Sequence, residues 1–375
     1  MIEKDFIKKI NLKAREQGFE QYGIANFNGL DFYSKKLKEY IDKNYHGDMK
    51  WLKDKVDIRK NPINMWSEAK SAFVFGLNYA PEKDPLLDLK KKSSAYISAY
   101  ARRKDYHKVI KSKLKSIARY MTSISDIKLK LFVDTAPLME KPLAALAGIG
   151  WFGKNTNIIS NNYGTWLFLG TILTNYPFKS NKESRNKCGT CNACNTRCPT
   201  KAFTKPFILD ARKCISYLTI EHKGHIEIKF REAIGNRIFG CDDCLAICPW
   251  NKFAKKHKEI KFNYIEKLDM PKLDKLILFE EDEYRNYFAG TPIRRLGYAR
   301  FLRNILIAIG NSKDHNLVPL VVRKLDNKYE EVKAMAIWAL FSLDKSRFFV
   351  EKNKRYQYEK IEYLKKEWEN AGAET

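Results

Sequence analysis

Eight cysteines constrain this chain more than any other feature, because all of them fall between residues 188 and 248 of its 375 residues. The first four follow the pattern Cys-x2-Cys-x2-Cys-x3-Cys-Pro, which is the cysteine run of bacterial ferredoxins. A second run, Cys-x2-Cys-x3-Cys-Pro, has Ile238 where a leading cysteine would stand, and Cys214 is the one cysteine left to replace it. The stretch therefore predicts a ferredoxin-like module with two [4Fe–4S] clusters, and hence electron transfer.

The ligand sets follow from the way two-cluster ferredoxins exchange one cysteine between their runs. Cluster one is predicted to take Cys188, Cys191, Cys194 and Cys248, and cluster two to take Cys198, Cys214, Cys241 and Cys244. This assignment uses every cysteine. Four cysteines can also bind zinc, but zinc sites rarely have three cysteines at successive x2 spacing followed by Cys-Pro, so zinc is the less favoured alternative.

The net charge of the chain indicates the kind of partner it binds, and its N-terminal sequence indicates its cellular compartment. The formal net charge is +26, which attracts polyanions and indicates a nucleic acid partner. The alternative is that lysine serves only as a solubilising residue. No apolar run reaches 18 residues, and the charged N-terminus lacks the apolar stretch of a secretory signal. We therefore expect a cytoplasmic protein whose thiols stay reduced rather than paired in disulfides.

Helical and strand-like patterns alternate in the first half of the chain. Helices are predicted at 1–20, 105–121 and 139–148, and strands at 22–25, 72–77, 130–134 and 165–174. This alternation predicts an α/β domain over residues 1–178. Three apolar stripes after residue 292 are spaced like HEAT-type helical repeats, with an ordinary helical bundle as the alternative.

The expected architecture is thus a multi-domain α+β/α protein with three consecutive parts. Residues 1–178 would form the α/β domain, 179–258 the ferredoxin-type domain, and 259–375 a helical HEAT-like domain. A cluster relay fused to so much additional chain needs an electron acceptor, which we expect in the N-terminal domain.

Five further segments stand around the cysteine run in a fixed order. They are Tyr100–Lys108, Val133–Lys141, Gly148–Thr156, Thr165–Thr174 and Thr291–Asn304. Their sequences and order resemble the epoxyqueuosine reductase family over about residues 5–345, and that family is similar in its core to corrinoid-dependent reductive dehalogenases. The resemblance implies a cobalamin in the N-terminal domain beside the two clusters. It also implies reduction of epoxyqueuosine to queuosine at the wobble position of tRNA anticodons.

The resemblance assigns a glycine-rich loop to cobalamin. The spacing of Gly148, Gly150 and Gly153 is typical of a loop whose backbone approaches a ligand closely. The predicted cofactor contacts are Trp151, Gly153, Lys154, Asn155 and Thr156 in this loop, together with Asp105, Tyr106 and His107. Asp105 could instead be only the cap of a helix. Arg103 stands where the family resemblance would lead us to expect glycine.

Asp134 is the predicted catalytic residue. Removing oxygen from an epoxide requires two electrons and protons, and a cofactor must supply electrons at such low potential. Asp134 ends a predicted strand and could protonate the leaving oxygen if burial raised its pKa. The alternative is that Asp134 caps a helix that begins after Pro137.

Two basic clusters are candidate tRNA contacts, because arginine suits phosphate through its planar fork. The cluster near the repeats contains Arg294, Arg295, Arg300 and Arg303, and the cluster near the presumed active site contains Arg102, Arg103, Lys104 and Lys108. Either cluster could instead be a solvated helix face. We expect a monomer, because RNA must reach an open face, and an unidentified low-potential electron donor.

Three other functions remain open from the sequence. The chain could be an iron–sulfur electron carrier with a helical docking domain, which would need neither a corrinoid nor Asp134. It could be a corrinoid reductase of a small molecule, which would have no use for the charge of +26. It could also be an RNA-binding protein whose clusters only brace the fold, without redox activity.

Overall fold

A computed structural model describes residues 3–370 of the chain. The α-helices are α1 (Glu3–Glu16), α2 (Leu30–Asp42), α3 (Lys50–Asp54), α4 (Val56–Lys60), α5 (Pro62–Met65), α6 (Tyr106–Ile124), α7 (Glu140–Leu146), α8 (Ala193–Arg197), α9 (Ile215–Ile220), α10 (Ile228–Ile234), α11 (Asp243–Ala246), α12 (Leu273–Leu276), α13 (Glu281–Tyr287), α14 (Tyr298–Ser312), α15 (Val318–Lys324), α16 (Glu330–Leu343), α17 (Lys345–Arg355) and α18 (Glu362–Asn370). No helix within residues 3–370 is both long and apolar enough to cross a membrane.

The strands are short apart from two eight-residue strands. They are β1 (Gln21–Ala25), β2 (Ser71–Asn78), β3 (Tyr96–Ile97), β4 (Leu129–Phe132), β5 (Trp151–Phe152), β6 (Ile158–Ile159), β7 (Leu167–Thr174), β8 (Phe203–Lys205), β9 (Ile208–Leu209) and β10 (Arg237–Phe239). The strands and helices predicted in the N-terminal half are confirmed, with ends that differ by a few residues. Residues 1 and 2 of the first predicted helix lie outside the described residues.

The chain forms two units, and each is assembled from three separate stretches. Unit 1 contains Met1–Lys83, Lys104–Ala211 and Asp243–Asn263, and unit 2 contains Asp84–Arg103, Arg212–Asp242 and Tyr264–Thr375. The sequence had suggested three consecutive domains. The two units differ from these three domains because two stretches, 84–103 and 212–242, pack with the C-terminal helices rather than with their neighbours in sequence.

Unit 1 is built around a four-stranded sheet in the order β1-β2-β7-β4. Every residue of β2 is buried, since its apolar run covers both faces of a central strand. All three strand pairs of this sheet are antiparallel, with Phe73 opposite Ile172 in the central pair. The predicted α/β class is therefore corrected to α+β for this sheet, because alternation of helix and strand along the chain does not fix strand direction.

The first turn of α6 and the loop before α7 lie near one end of this sheet. The helix α6 buries Ile110, Leu114 and Ile117, and Gly170 of β7 makes room for it: a Cβ at Gly170 would lie 2.8 Å from Ile110 Cγ2. The short helix α7 buries Leu143 and its neighbours against the same sheet. The segments that carry the predicted catalytic residue Asp134 and the predicted cofactor contacts Tyr106 and His107 are therefore held by the sheet core.

Unit 2 contains the C-terminal helices. The three predicted apolar stripes are confirmed as α14, α15 and α16. Gly310 allows α14 and α16 to approach closely, because a Cβ at this position would lie 2.4 Å from Trp338 Cζ3. In the same unit, the buried Arg231 pairs with both carboxylate oxygens of Glu367, which joins α10 to α18.

Candidate functional site

The loop after β4 holds Asp134 in an unusual backbone conformation. Its φ is 59°, in the left-handed region, which aspartate tolerates better than most residues. The backbone N–H of Asp134 donates a hydrogen bond to Glu140 Oε2 at 2.6 Å. The Asp134 side chain is 64% exposed, so its carboxylate is held by the loop and remains accessible.

The start of α6 brings two aromatic side chains to this carboxylate. Tyr106 Oη donates a hydrogen bond of 2.5 Å to Asp134 Oδ2, and His107 Nε2 lies 3.5 Å from the same oxygen. The Tyr106 ring stacks on Phe168 of β7 at a centroid distance of 4.3 Å, and on the His107 ring at 4.0 Å. The stacked rings therefore hold Tyr106 Oη and His107 Nε2 beside the same oxygen of Asp134.

Asp105 orients His107 from behind. Its carboxylate accepts the His107 backbone N–H at 3.1 Å, which caps α6, and lies 2.7 Å from His107 Nδ1. Asp105 is buried, with 6% of its surface exposed. It is thus both the predicted helix cap and the residue that fixes the imidazole, and its predicted contact with a cofactor stays a prediction.

The protons of this site are distributed differently from the prediction. Burial disfavours the imidazolium, but hydrogen bonds to Asp105 and Asp134 outweigh it and raise the pKa of His107 to about 9. The hydrogen bond from His107 is the main reason that the pKa of Asp134 is lowered. At neutral pH the proton therefore resides on His107, and Asp134 is a carboxylate.

Two expectations about Asp134 are corrected by this geometry. The side chain is mostly exposed, and its pKa is lowered rather than raised, because the imidazolium stabilises the anion. Asp134 is also not a helix cap: α7 begins at Glu140 after Met139, and no side chain caps it.

Glu140 belongs to the segment Val133–Lys141 and has no predicted role. Burial, and then the charge of Asp134, raise the pKa of Glu140 to about 8. Thr171 Oγ1 donates to Glu140 Oε1 at 3.4 Å. An acidic residue at the first turn of a helix is common, so no sequence signal distinguished Glu140.

Arg59 is a second residue that the sequence did not indicate. Its guanidinium lies 5.0 Å from the centroid of the Trp51 ring, and the charges of Asp134 and Glu140 act on it. Burial is the main reason that its pKa is lowered. Arg59 Nε is buried and has no hydrogen-bond partner within residues 3–370.

The four cysteines predicted for cluster one lie together in unit 1. Burial, followed by the charges of Cys188, Cys194 and Cys191, raises the pKa of Cys248 to about 11. Mutual interaction of four free thiols fits a shared cluster. Within residues 3–370, no three His, Cys, Asp or Glu side chains are arranged to hold a single metal ion.

Three residues of the predicted cobalamin loop contact the cysteine site. Trp151 packs against Cys248 and Cys188, and Lys154 Nζ donates to the carbonyl oxygens of Gly189 and Cys191 at 2.8 Å each. The buried Asn155 donates to the Cys244 carbonyl oxygen at 3.1 Å. Lys154 and Asn155 are thus hydrogen-bonded within the protein, and the assignment of the three residues to cobalamin stays a prediction.

The glycines of the same loop are required by protein atoms. A Cβ at Gly150 would lie 2.3 Å from Ile159 O, one at Gly153 2.4 Å from Ile159 Cδ1, and one at Gly148 2.7 Å from Lys182 O. The close approach inferred from the sequence is therefore, within the protein, to β6 and to residue 182.

The ligands predicted for cluster two are divided between the units. Cys198 and Cys244 belong to unit 1, whereas Cys214 and Cys241 belong to unit 2. None of these four cysteines forms a disulfide bond. The ligand set of cluster two therefore stays a prediction.

The predicted phosphate contacts separate into exposed and buried arginines. Arg294 and Arg295 are exposed. Arg303 is fully buried and donates to the carbonyl oxygens of Leu218, His222 and Gly224, and Arg300 Nη1 donates to Ile220 O at 2.7 Å. Arg303 cannot reach a phosphate, and the backbone hydrogen bond of Arg300 engages part of its guanidinium.

The prediction for Arg102 and Arg103 is corrected in the same way, whereas Lys104 and Lys108 of the same cluster are exposed and stay predicted contacts. Within unit 2, Arg102 is buried and paired with Asp88 and Asp269, and the buried Arg103 stacks on the Tyr264 ring at 4.9 Å. The side chain that replaces the expected glycine is therefore a core residue of unit 2.

Two family models match this chain. Residues 187–251 match a 4Fe-4S double cluster binding domain, and residues 59–135 match the family described as epoxyqueuosine reductase QueG, DUF1730. The epoxyqueuosine reductase of Vibrio cholerae is 39% identical over 303 residues, which are 80% of this chain and 81% of the relative. The chain belongs to the epoxyqueuosine reductase family.

Solved structures of epoxyqueuosine reductases share the fold of this family member. One is a crystal structure with a tRNA-Tyr epoxyqueuosine-modified stem loop; it is 27% identical, has a TM-score of 0.90, and each chain covers 98% of the other. Another, from Bacillus subtilis, has its Asp134 catalytic loop swung out of the active site; it is 26% identical, with a TM-score of 0.89 and the same coverage.

Proposed function

We propose that this chain reduces epoxyqueuosine to queuosine in tRNA anticodons, using cobalamin and two [4Fe–4S] clusters. The observation that carries the proposal is the group of Tyr106, His107 and Asp134, in which the start of α6 brings a protonated imidazole to the accessible carboxylate in the loop after β4. Family membership and the relative solved with an epoxyqueuosine-modified stem loop support the substrate. The cluster-one cysteines support the electron path.

The net reaction requires two electrons and two protons: the epoxide becomes an alkene and its oxygen leaves as water. When bound, cobalamin supplies electrons at a potential that no side chain reaches, and the clusters return them. The residues described here have the complementary task of holding and delivering protons.

Asp134 and His107 form one proton-holding unit in this proposal. In the free enzyme the proton resides on His107 Nε2, 3.5 Å from Asp134 Oδ2. A bound nucleoside would exclude water from the exposed carboxylate, which disfavours its charge and moves the proton to Asp134. Asp134 would then protonate the leaving oxygen, as proposed from the sequence, while Tyr106 Oη holds the carboxylate in place. The catalytic Asp134 loop of the Bacillus subtilis relative supports this role.

The residues around this loop fit a corrinoid in part. Thr156, Tyr106 and His107 remain from the predicted contacts, since Trp151, Lys154 and Asn155 are engaged elsewhere. Arg59 joins them, because its buried Nε lacks a partner among the described residues and could donate to an amide or phosphate oxygen of the corrinoid.

The C-terminal helices are proposed as HEAT-type repeats that help to hold the tRNA. Arg294 and Arg295 are the exposed cations that would contact phosphate. We also propose that the protein is a cytoplasmic monomer and that an unidentified low-potential donor supplies its electrons.

The test begins with anaerobic purification in the presence of cobalamin, followed by iron and cobalt analysis. About eight irons and one cobalt per chain are expected. The protein is then supplied with a chemical reductant and an epoxyqueuosine stem loop, and mass spectrometry follows the loss of one oxygen. Iron without cobalt and without turnover would favour the electron carrier and overturn the proposal.

Variants separate the proton donor from the rest of the machinery. Asp134→Asn should keep iron and cobalt but lose turnover, whereas Asp126→Asn, an exposed aspartate of the same unit, should behave as the parent protein. Parent-level turnover by Asp134→Asn would remove Asp134 from the proton path.

A further inference from the structure

The cysteine site in unit 1 is enclosed on one side by two tryptophans. Trp151 is 1% exposed and packs with Ile159 against Cys248, with Cys188 and Trp250 beside them. The two indole rings meet edge to face, with centroids 4.8 Å apart and an interplanar angle of 75°. Their contacts bring Trp151 to two of the four thiols that interact in this site.

The indole N–H of Trp151 has no acceptor among residues 3–370, although it is buried. An indole nitrogen is a donor only, and a buried donor without a partner is costly, so nearly all such groups in folded proteins are satisfied. The hydrophobic side chains clustered with Trp151 are Ile159, Cys248, Cys188 and Trp250, and of these the two cysteines carry a possible acceptor atom, sulfur. An acceptor that would satisfy this N–H is therefore a sulfur of an assembled cluster.

We propose that Trp151 Nε1 donates a hydrogen bond to a sulfur of cluster one and thereby raises the reduction potential of that cluster. The inference rests on the proposed double-cluster function. Reduction adds one electron to the cluster and breaks no bond. A hydrogen bond to sulfur stabilises the added negative charge, so it favours the reduced state.

Two lysines should also raise the reduction potential of cluster one. Lys187 Nζ lies 5.9 Å from the centroid of the Trp151 ring and 5.7 Å from that of Trp250. A cation over an indole ring withdraws electron density and makes its N–H a stronger donor. Lys154 Nζ is held at the cysteine loop by the carbonyl oxygens of Gly189 and Cys191. Both positive charges favour an additional electron on cluster one.

The test compares reduction potentials in the full-length protein with both clusters loaded. Trp151→Phe removes the N–H and keeps an aromatic ring, and Trp250→Phe is the matched control, because Trp250 adjoins the same site but is not a buried donor without a partner. Potentials are read from the electron paramagnetic resonance signals of the reduced clusters during a redox titration.

The expected result is that one of the two clusters becomes harder to reduce in Trp151→Phe. Its one-electron equilibrium should shift by about tenfold, which corresponds to about 59 mV toward negative potential. The other cluster should keep its potential in both variants. Equal potentials in Trp151→Phe and the parent protein, with equal iron content, would overturn the proposal.

If Trp151→Phe does not retain iron, a side chain with nearly the same shape as tryptophan can be tested at this position. Benzothienylalanine, introduced at position 151 by codon suppression, has a sulfur in place of the indole N–H. The same negative shift in this variant supports the hydrogen bond, and an unchanged potential overturns it. Absence of iron from the parent protein would instead refute the double-cluster function, so the two failures are distinguishable.

Discussion

The pKa of His107 is the most direct measure of the proposed proton-holding unit. Folding raises it from an ordinary value of about 6.5 to about 9. At about 1.4 kcal/mol per tenfold change, this difference is about 3 kcal/mol in favour of the imidazolium. The contribution to stability is fully present below about pH 6.5 and is lost as pH rises through about 9.

Replacing Asp134 by asparagine should lower this pKa without returning it to the ordinary value. Asp105 remains 2.7 Å from Nδ1, whereas the lost carboxylate was 3.5 Å from Nε2, so the larger part of the stabilisation should survive. The assay is an NMR titration of the imidazole signals, with His107→Gln identifying the relevant one among six histidines. Asp126→Asn serves as the control.

Two results would refute the reasoning. In one, His107 of the parent protein titrates near 6.5, which would mean that the imidazole is not held by carboxylates in solution. In the other, Asp134→Asn leaves the pKa unchanged, which would mean that the Asp134 loop does not stay beside α6.

Three further predictions concern other parts of the chain. Glu140→Gln should flatten the pH dependence of the free energy of unfolding, measured in urea between about pH 4.5 and 8, because in this range Glu140 of the unfolded parent is ionised while burial keeps the folded one protonated up to its pKa of about 8; an unchanged slope would contradict this. Replacing Arg294 and Arg295 by glutamine should weaken stem-loop binding and lower its salt dependence by about one unit per lost phosphate contact, whereas Lys8→Gln, an exposed change in α1, should leave both unaltered. Arg303→Leu should lower the free energy of unfolding by about 3 kcal/mol in a urea titration, since three backbone carbonyls lose their donor; a loss of stem-loop binding at full stability would show the arginine to face RNA after all.

The parts of the site that could be predicted depend on local spacing. The thiols of cluster one follow from intervals between cysteines, and the structure brings these four together. The strands of the N-terminal half are marked by apolar runs, such as the fully buried β2. Such signals lie within a few residues of one another, so a single sequence contains them.

The errors concern what a side chain meets across the fold. Arg303 and Arg294 look alike in sequence, yet the first is buried among carbonyl oxygens and the second is exposed. The glycine-rich loop was correctly recognised as a place of close approach, but its neighbour is a strand of the protein. The pKa of Asp134 was predicted in the wrong direction because it depends on His107, which is remote in sequence.

The discontinuous composition of unit 1 has a consequence for biosynthesis. Cys188, Cys191 and Cys194 are translated more than 50 residues before Cys248, the fourth thiol of the same site. At about 5–20 residues per second, the ribosome exposes three of these thiols several seconds before the fourth. Stable insertion of iron and sulfide into this site must therefore follow synthesis of most of the chain, and a nascent protein stalled in that interval would carry reactive thiols without their final partner.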